Sequence, residues 1–282
     1  MPAMVGRIVH HIRGFIATMV SMTSTEGVTA ESLDEGLDGT PYSIPLDAAS
    51  RPRVEALVQR LNEVSDRATA ARSAAIQSAS ALLRKNTRVR EIYESNKIEG
   101  LGPSLLRTGQ ILESDEARQI SAMIQRRSIV GTLTIDPKVA DVLGLHGAKL
   151  IAETIVSANA GEQRLSETDL RSMHSLIMGA QYGAGRYKQY LNQIKGSSHV
   201  PIAPSDVPGA MGRLTDWINA LPVRQNFSPI VACAAAHAWL THVHPFDDGN
   251  GRIGRLVANI IGSSAALPTI VVSSTADRGR YL

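Results

Sequence analysis

Apolar residues recur along most of this chain at three- and four-residue spacings, the period of one buried helical face. Val54, Leu57, Val58, Leu61 and Val64 follow that period and predict a long helix from about Ala48 to about Leu83. A shorter helical segment, Val89–Ile98, is predicted next; it stops at Gly100, a common C-terminal signal. Further helices are expected over Glu113–Arg126, and from Asp136-Pro137, an acidic cap and a first-position proline, to about Ser157. Ser166 and Asp169 have the capping-box spacing, and Leu170, Met173, His174 and Ile177 follow at helical intervals. Ile230–Val243 is apolar nearly all round, as a helix in the middle of a bundle would be. Only Tyr182–Val207, rich in Gly, Ser and Pro, departs from this pattern. There the short runs Leu191–Lys195 and His199–Ile202 flank Gly196-Ser197-Ser198 and predict a small exposed β-hairpin. The expected fold class is therefore all-α, a helical bundle carrying one hairpin.

Residues 1–45 read as a leader, since Glu31–Pro45 collects Asp, Glu, Gly, Ser and Pro without apolar periodicity. Residues 46–129 are expected to form N-terminal helices, and 130–282 the core of the chain. The last stretch, to Arg280-Tyr281-Leu282, reads as though another helix should follow.

Composition narrows the function classes. The 282 residues carry 29 Lys plus Arg against 26 Asp plus Glu, a net charge of +3, with no run of five or more cations. Nucleic acid is not indicated as a partner. Aromatic residues make up only 4%, which argues against stacking platforms for single strands. Cys233 is the sole cysteine, so an intramolecular disulfide and a multi-Cys zinc site are both excluded. A reducing compartment, the cytoplasm, is the expected location. The apolar stretch Phe15–Met22 falls short of the about 20 residues a bilayer span needs.

The chemistry concentrates after the buried helix. Pro245 disfavours helical geometry at His244, which places that imidazole at the helix edge as a base suited to neutral pH. Gly249 and Gly251 permit a backbone whose amides converge on one anion. In the following helix Ile253, Leu256, Val257, Ile260 and Ile261 share an apolar face, while Arg252, Arg255 and Asn259 share another. A phosphate at this helix N-terminus would meet backbone donors, the positive dipole end and Arg252, with Arg255 one turn on. Asp248 supplies a hard oxygen, as a magnesium ion on a polyphosphate requires. Such a set suits phosphoryl or nucleotidyl transfer. By contrast, His174, His237 and His242 match no zinc spacing and read as core histidines. Cys233, among alanines, reads as inert packing.

His244-Pro245-Phe246-Asp247-Asp248-Gly249-Asn250-Gly251-Arg252-Ile253-Gly254-Arg255 resembles the complete signature of the Fic family, HPFx[DE]GNGRxxR. The resemblance extends through Gly185-Arg186-Tyr187, His199-Val200-Pro201 and the Trp217 helix, about residues 130–275, with Lys188 where many relatives carry arginine. It implies a Fic-type helical bundle with a β-hairpin flap, and transfer of AMP from ATP to a Ser, Thr or Tyr hydroxyl of a protein. His244 would be the catalytic base and Asp248 the ligand of Mg²⁺, with Mn²⁺ as a substitute. Gly249, Asn250, Gly251, Arg252 and Arg255 would bind ATP, and Ile194, His199 and Val200 would belong to the flap that pairs with the target. Self-modification and homo-oligomerisation are compatible with this reading.

Ser95-Asn96-Lys97-Ile98-Glu99-Gly100 resembles the family's inhibitory motif, [ST]xxxE[GN], placed ahead of the core. The resemblance implies that Ser95, Glu99 and Gly100 form a brake, with Glu99 paired to Arg255. Two alternatives stand beside the forward transfer. One is removal of AMP or transfer of another phosphate-containing group; the other is a non-catalytic nucleotide-sensing module.

Overall fold

The computed structural model describes residues 77–125, 136–158, 164–194, 197–221, 229–265 and 267–276, with isolated helical positions at 52, 56, 59, 60 and 63. The leader, the Phe15–Met22 stretch, the C-terminal residues 277–282 and the apolar series from Val54 to Val64 lie outside the described residues.

Among the described residues, eight complete α-helices follow in order: α1 Gln77–Ile98, α2 Leu105–Leu112, α3 Asp115–Gln125, α4 Pro137–Ala158, α5 Glu167–Met178, α6 Val207–Ala220, α7 Pro229–Val243 and α8 Asn250–Ser264. A 3-10 turn, Pro204–Asp206, leads into α6. The helical reading of the sequence is borne out, and α4, α5 and α7 lie where their caps and periodicity place them. Ser166 accepts from the Asp169 amide while the Asp169 carboxylate accepts from the Ser166 amide, which closes the capping box of α5.

Three boundaries differ from expectation. Gln77–Ile98 is one continuous helix, with no break between Leu83 and Val89. The helix expected over Glu113–Arg126 is two: Ser104, whose side chain accepts from the Arg107 amide, caps α2, and Glu113 is the C-cap of that helix. No strand occurs among the described residues, so the expected hairpin is not formed as a ladder. In this segment the Ser197 amide donates to the Ile194 carbonyl at 3.0 Å.

α7 and α8 form the centre. Ile230–Leu240 is buried without interruption, and α8 is buried from Arg252 to Gly262. Gly254 permits their close approach, because a Cβ there would lie 2.6 Å from the His237 ring. His237 and Cys233 are core residues, as their sequence context suggests, and burial pushes the Cys233 thiol pKa far up. α1 lies against this centre through polar contacts. The Asn259 amide donates to Glu91 at 2.9 Å, Lys149 pairs with Glu91 at 2.6 Å, and the Ser274 amide donates to Glu94 at 2.8 Å. Thus the helix that ends beside Glu99 is held against the helix that carries Arg255.

Candidate active site

α7 ends in a residue of unusual backbone. His244 has φ +49°, the left-handed region that side chains rarely adopt, while its amide still donates to the Leu240 carbonyl at 2.9 Å. The backbone thus leaves helical geometry at His244, as Pro245 predicted. Burial, opposed by the Thr241 backbone, holds its pKa below the ordinary histidine value, so the imidazole is neutral near pH 7.

The loop to α8 is braced from within. Asn250 accepts from the Phe246 amide at 3.0 Å and donates to the Phe246 carbonyl at 2.8 Å. Asn192 donates to the carbonyls of His244 and Phe246, at 3.3 and 2.9 Å. Lys188, the departure from the family pattern, is buried; its ammonium donates to Asn192 and to the Val243 carbonyl, so here it supports the loop. Sequence reasoning gave Asn192 no role, because neither spacing nor neighbours mark it.

His174 is more than core filling. The Gly185 amide donates to its Nδ1 at 2.9 Å, so Nε2 carries the proton and donates to the Asp248 carbonyl, also at 2.9 Å. Burial above all lowers its pKa to about 4, which keeps this tautomer neutral. Its ring stacks on Phe246 at 3.8 Å. A buried histidine at helical spacing is legible in the sequence; its two partners are not. Substituting His174→Phe should keep the ring stack and lose both hydrogen bonds. Buried groups left unpaired cost about 1–3 kcal/mol, so a lower melting temperature and an about tenfold slower turnover are expected from thermal denaturation and initial rates.

At the N-terminus of α8, Gly249 adopts φ +78°, and a Cβ there would meet Met178 Sδ at 3.0 Å and the His174 ring at 3.2 Å. No side chain caps this helix. The amide of Ile253 is the first to find a helical acceptor, the Gly249 carbonyl at 3.0 Å, which leaves the earlier amides of the first turn without one. Arg252 is 1% exposed, yet its guanidinium has only a 3.5 Å contact to Met178 Sδ, and Nε and Nη1 have no hydrogen-bond partner. A buried cation at an uncapped helix N-terminus is a site for a polyanion. The Asp248 carboxylate lies beside it, accepting from the Gly249 amide at 2.6 Å. Among the described residues no group of three or more His, Cys, Asp or Glu could hold a metal alone. One carboxylate fits magnesium, which is usually held by one or two carboxylates plus substrate phosphates.

Arg255 is already engaged. It donates to Ser95 Oγ and to the Ser95 carbonyl, each at 2.9 Å, and pairs with Glu99 at 2.7 Å. The Glu99 carboxylate packs so closely on α8 that a Cβ at Gly251 would lie 2.5 Å from it. Gly100, with φ +76°, turns the chain away just after Glu99. The carboxylate therefore lies over the same helix turn that presents Arg252.

Of the residues expected in a flap, Val200 is exposed and Ile194 half-buried, while His199 donates to the His242 carbonyl at 2.9 Å and stacks on the His242 ring. Tyr190, Leu191 and Val200 are each at least 70% exposed, forming an apolar rim on this segment.

A family model described as Fic/DOC matches residues 164–261. The chain is 32% identical over 244 residues to the protein adenylyltransferase Fic of Drosophila willistoni, covering 83% of this chain and 44% of that protein. It is 30% identical over 235 residues to the protein of the same name from Culex quinquefasciatus, covering 79% and 43%. Among solved structures, Fic-1 from C. elegans matches with a TM-score of 0.59 at 24% identity, over 88% of this chain and 70% of that one. A Fic domain-containing signaling protein from Bacteroides thetaiotaomicron matches with a TM-score of 0.55 at 22% identity, over 72% and 73%. Both share the fold. The chain spans less than half the length of the curated relatives it matches.

Proposed function

Because the chain belongs to the Fic/DOC family, we propose that it is a protein adenylyltransferase that moves AMP from ATP to a Ser, Thr or Tyr hydroxyl of a protein and is restrained by its own Glu99. The observation that carries this reading is the buried guanidinium of Arg252, whose Nε and Nη1 have no hydrogen-bond partner, at the uncapped start of α8, eight residues after His244, a neutral base.

His244 takes the proton of the target hydroxyl as its oxygen bonds to the α-phosphorus; the bond from that phosphorus to the β-bridging oxygen breaks, and pyrophosphate leaves. The first-turn amides of α8 and Arg252 face the charge that develops on the phosphates, and Arg255 holds the distal end once Glu99 has withdrawn. Rate enhancement on this scheme is positioning and preorganised charge. Asp248 would hold magnesium, which when bound neutralises phosphate charge. The exposed rim of Tyr190, Leu191 and Val200 offers an extended target segment a surface beside the base, with main-chain pairing to residues 194–200 as the flap.

Glu99 also supports a second direction. A carboxylate lying at the phosphate site is placed to orient a water, so removal of AMP from a modified target is the alternative activity. Incubating an adenylylated target with the protein and magnesium, without ATP, separates the two. Among the described residues no helix is long and apolar enough to cross a membrane, and with its single buried thiol we place the protein in the cytoplasm.

Treating a cell lysate with the Glu99→Gly protein and ATP should add the mass of one AMP to hydroxyl-bearing residues of specific proteins; a lysate unchanged by mass spectrometry would refute the activity. The pH profile gives a further check. A base works only when neutral, so activity is lost as pH falls through its pKa. With His244 held below its ordinary value, the acid limb should have its midpoint below about 6.5.

A further inference from the structure

α1 and α8 meet along a polar seam with a regular step. Glu91, Ser95 and Glu99 recur every fourth residue and so share one side of α1 and of the turn that ends it. On α8, Asn259, Arg255 and Gly251 recur at the same interval in the opposite direction. The two series pair in order. The Asn259 amide donates to Glu91 at 2.9 Å, Arg255 donates to Ser95 Oγ at 2.9 Å, and a Cβ at Gly251 would lie 2.5 Å from the Glu99 carboxylate. Each rise of four residues on α1 thus answers a fall of four on α8. A slip of one helical turn, about 5.4 Å, would break every rung and carry Glu99 away from Arg255.

The rung farthest from Glu99 is held on every side. Glu91 and Asn259 are both buried. The Asn259 side chain is fixed in orientation: its second N–H donates to the Ile270 carbonyl at 3.1 Å and its oxygen accepts from the Ile270 amide at 2.8 Å, so one amide hydrogen is committed to the Glu91 carboxylate. From the other side Lys149 of α4 pairs with Glu91 at 2.6 Å and lies 3.7 Å from Glu153, which accepts two hydrogen bonds from Arg88, three residues before Glu91 on α1. Ile92 and Ile98 supply the buried apolar contacts of the same helix, but apolar contact is non-directional and tolerates a shift. The rungs do not. Packing alone does not call for a carboxylate here, since apolar residues of similar volume commonly replace a buried ion pair without loss of stability.

We propose that Glu91 is a positioning residue of the restraint: its contacts with Asn259 and Lys149 fix the register of α1 on α8 and thereby hold Glu99 over Arg255 and the first turn of α8. The proposal rests on the reading of Glu99 as a brake on adenylyl transfer and adds to it a second residue, two helical turns away, that acts only through Glu99.

The test compares initial labelling rates of the full chain with radiolabelled ATP. Glu91→Gln keeps the shape, but its NH2 group must face one of two donors, Asn259 or Lys149, and that contact is lost. The rate should rise about three- to tenfold, less than in Glu99→Gly. Lys149 keeps Glu153 as a partner, which favours folding. Should Glu91→Gln not fold, Glu91→Met/Lys149→Met removes the rung together with both charges of the pair and should give the same rise. In the Glu99→Gly background neither change should alter the rate by more than about twofold, because the register then has no carboxylate to hold; a merely structural residue would not lose its effect with Glu99. Glu94→Ala removes a different contact of α1, the carboxylate that accepts from the Ser274 amide, and should leave the rate unchanged. Hydrogen exchange over residues 95–101 reads the seating of the helix end without any chemistry and should quicken in the Glu91 variants. An unchanged rate in both Glu91 variants while Glu99→Gly labels, an equal rise with Glu99 already replaced, an equal rise in Glu94→Ala, or exchange as slow as in the parent would each overturn the assignment. Faster exchange with no labelling in any variant, Glu99→Gly included, would refute adenylyl transfer and still support the seam.

Discussion

Replacing Glu99 with glycine should raise the rate of self- or target-labelling by roughly ten- to a hundredfold. Arg255 is 7% exposed and spends its guanidinium on Ser95 and Glu99. Opening a fully buried pair costs about 3–5 kcal/mol; the Glu99 side chain is a third exposed, and solvent screening cuts that to about 1–3 kcal/mol. At about 1.4 kcal/mol per decade, the rise follows. The substitution falls just after α1, so the helix loses no interior residue. Arg255 keeps both Ser95 contacts, and stability should change little. Glu99→Gln, which keeps the shape and removes the charge, should give an intermediate rise. Rates from radiolabelled ATP decide it: an unchanged rate in Glu99→Gly would mean that the contact is structural and restrains nothing.

Replacing His244 with alanine should bring labelling down by about a hundred- to ten-thousandfold, the usual contribution of a positioned general base. The loop does not depend on this side chain. Asn250, Asn192, Lys188 and His174 brace it through main-chain groups, and the strained φ belongs to the backbone of an L-residue in either variant. Melting temperature and ATP affinity should therefore stay near those of the parent. Measured in the Glu99→Gly background, a large loss of turnover with ATP binding retained assigns His244 to the chemical step. Labelling that persists would leave nucleotide sensing as the better description.

The loop from His244 to Arg255 was the most legible part of the chain, because its constraints are local. A proline fixes where α7 ends, glycines mark the positive φ at Gly249, and the apolar face of α8 sets which arginines share a side. The Glu99–Arg255 pair spans 156 residues; no periodicity joins its ends, and only the resemblance of the Ser95–Gly100 motif brought them together. The single helix α1 read as two segments because Arg84, Lys85 and Arg88 interrupt the apolar period. The backbone runs through them because Arg88 is paired with Glu153, and Glu91 with Lys149 and Asn259, on other helices. α2 had a local signal in Pro103-Ser104, a proline next to an N-cap serine, but its eight residues are too few for a clear period. The runs Leu191–Lys195 and His199–Ile202 carry strand-forming residues, yet hydrogen bonds from Asn192 and His199 to the α7 end hold them where no ladder forms. His174 is the instructive case: burial was readable from spacing, while its grip on Asp248 depended on a fold that brings residues 174, 185 and 248 together.

The central claim is that ATP lies along the start of α8 with its α-phosphorus presented to His244. It is tested most directly by labelling with ATP that carries ³²P at either the α or the γ position, using the Glu99→Gly protein. The α-label should become covalently attached to protein, the γ-label should leave with pyrophosphate, and His244→Ala should abolish attachment. Retention of the γ-label, or α-labelling that does not require His244, would contradict the account.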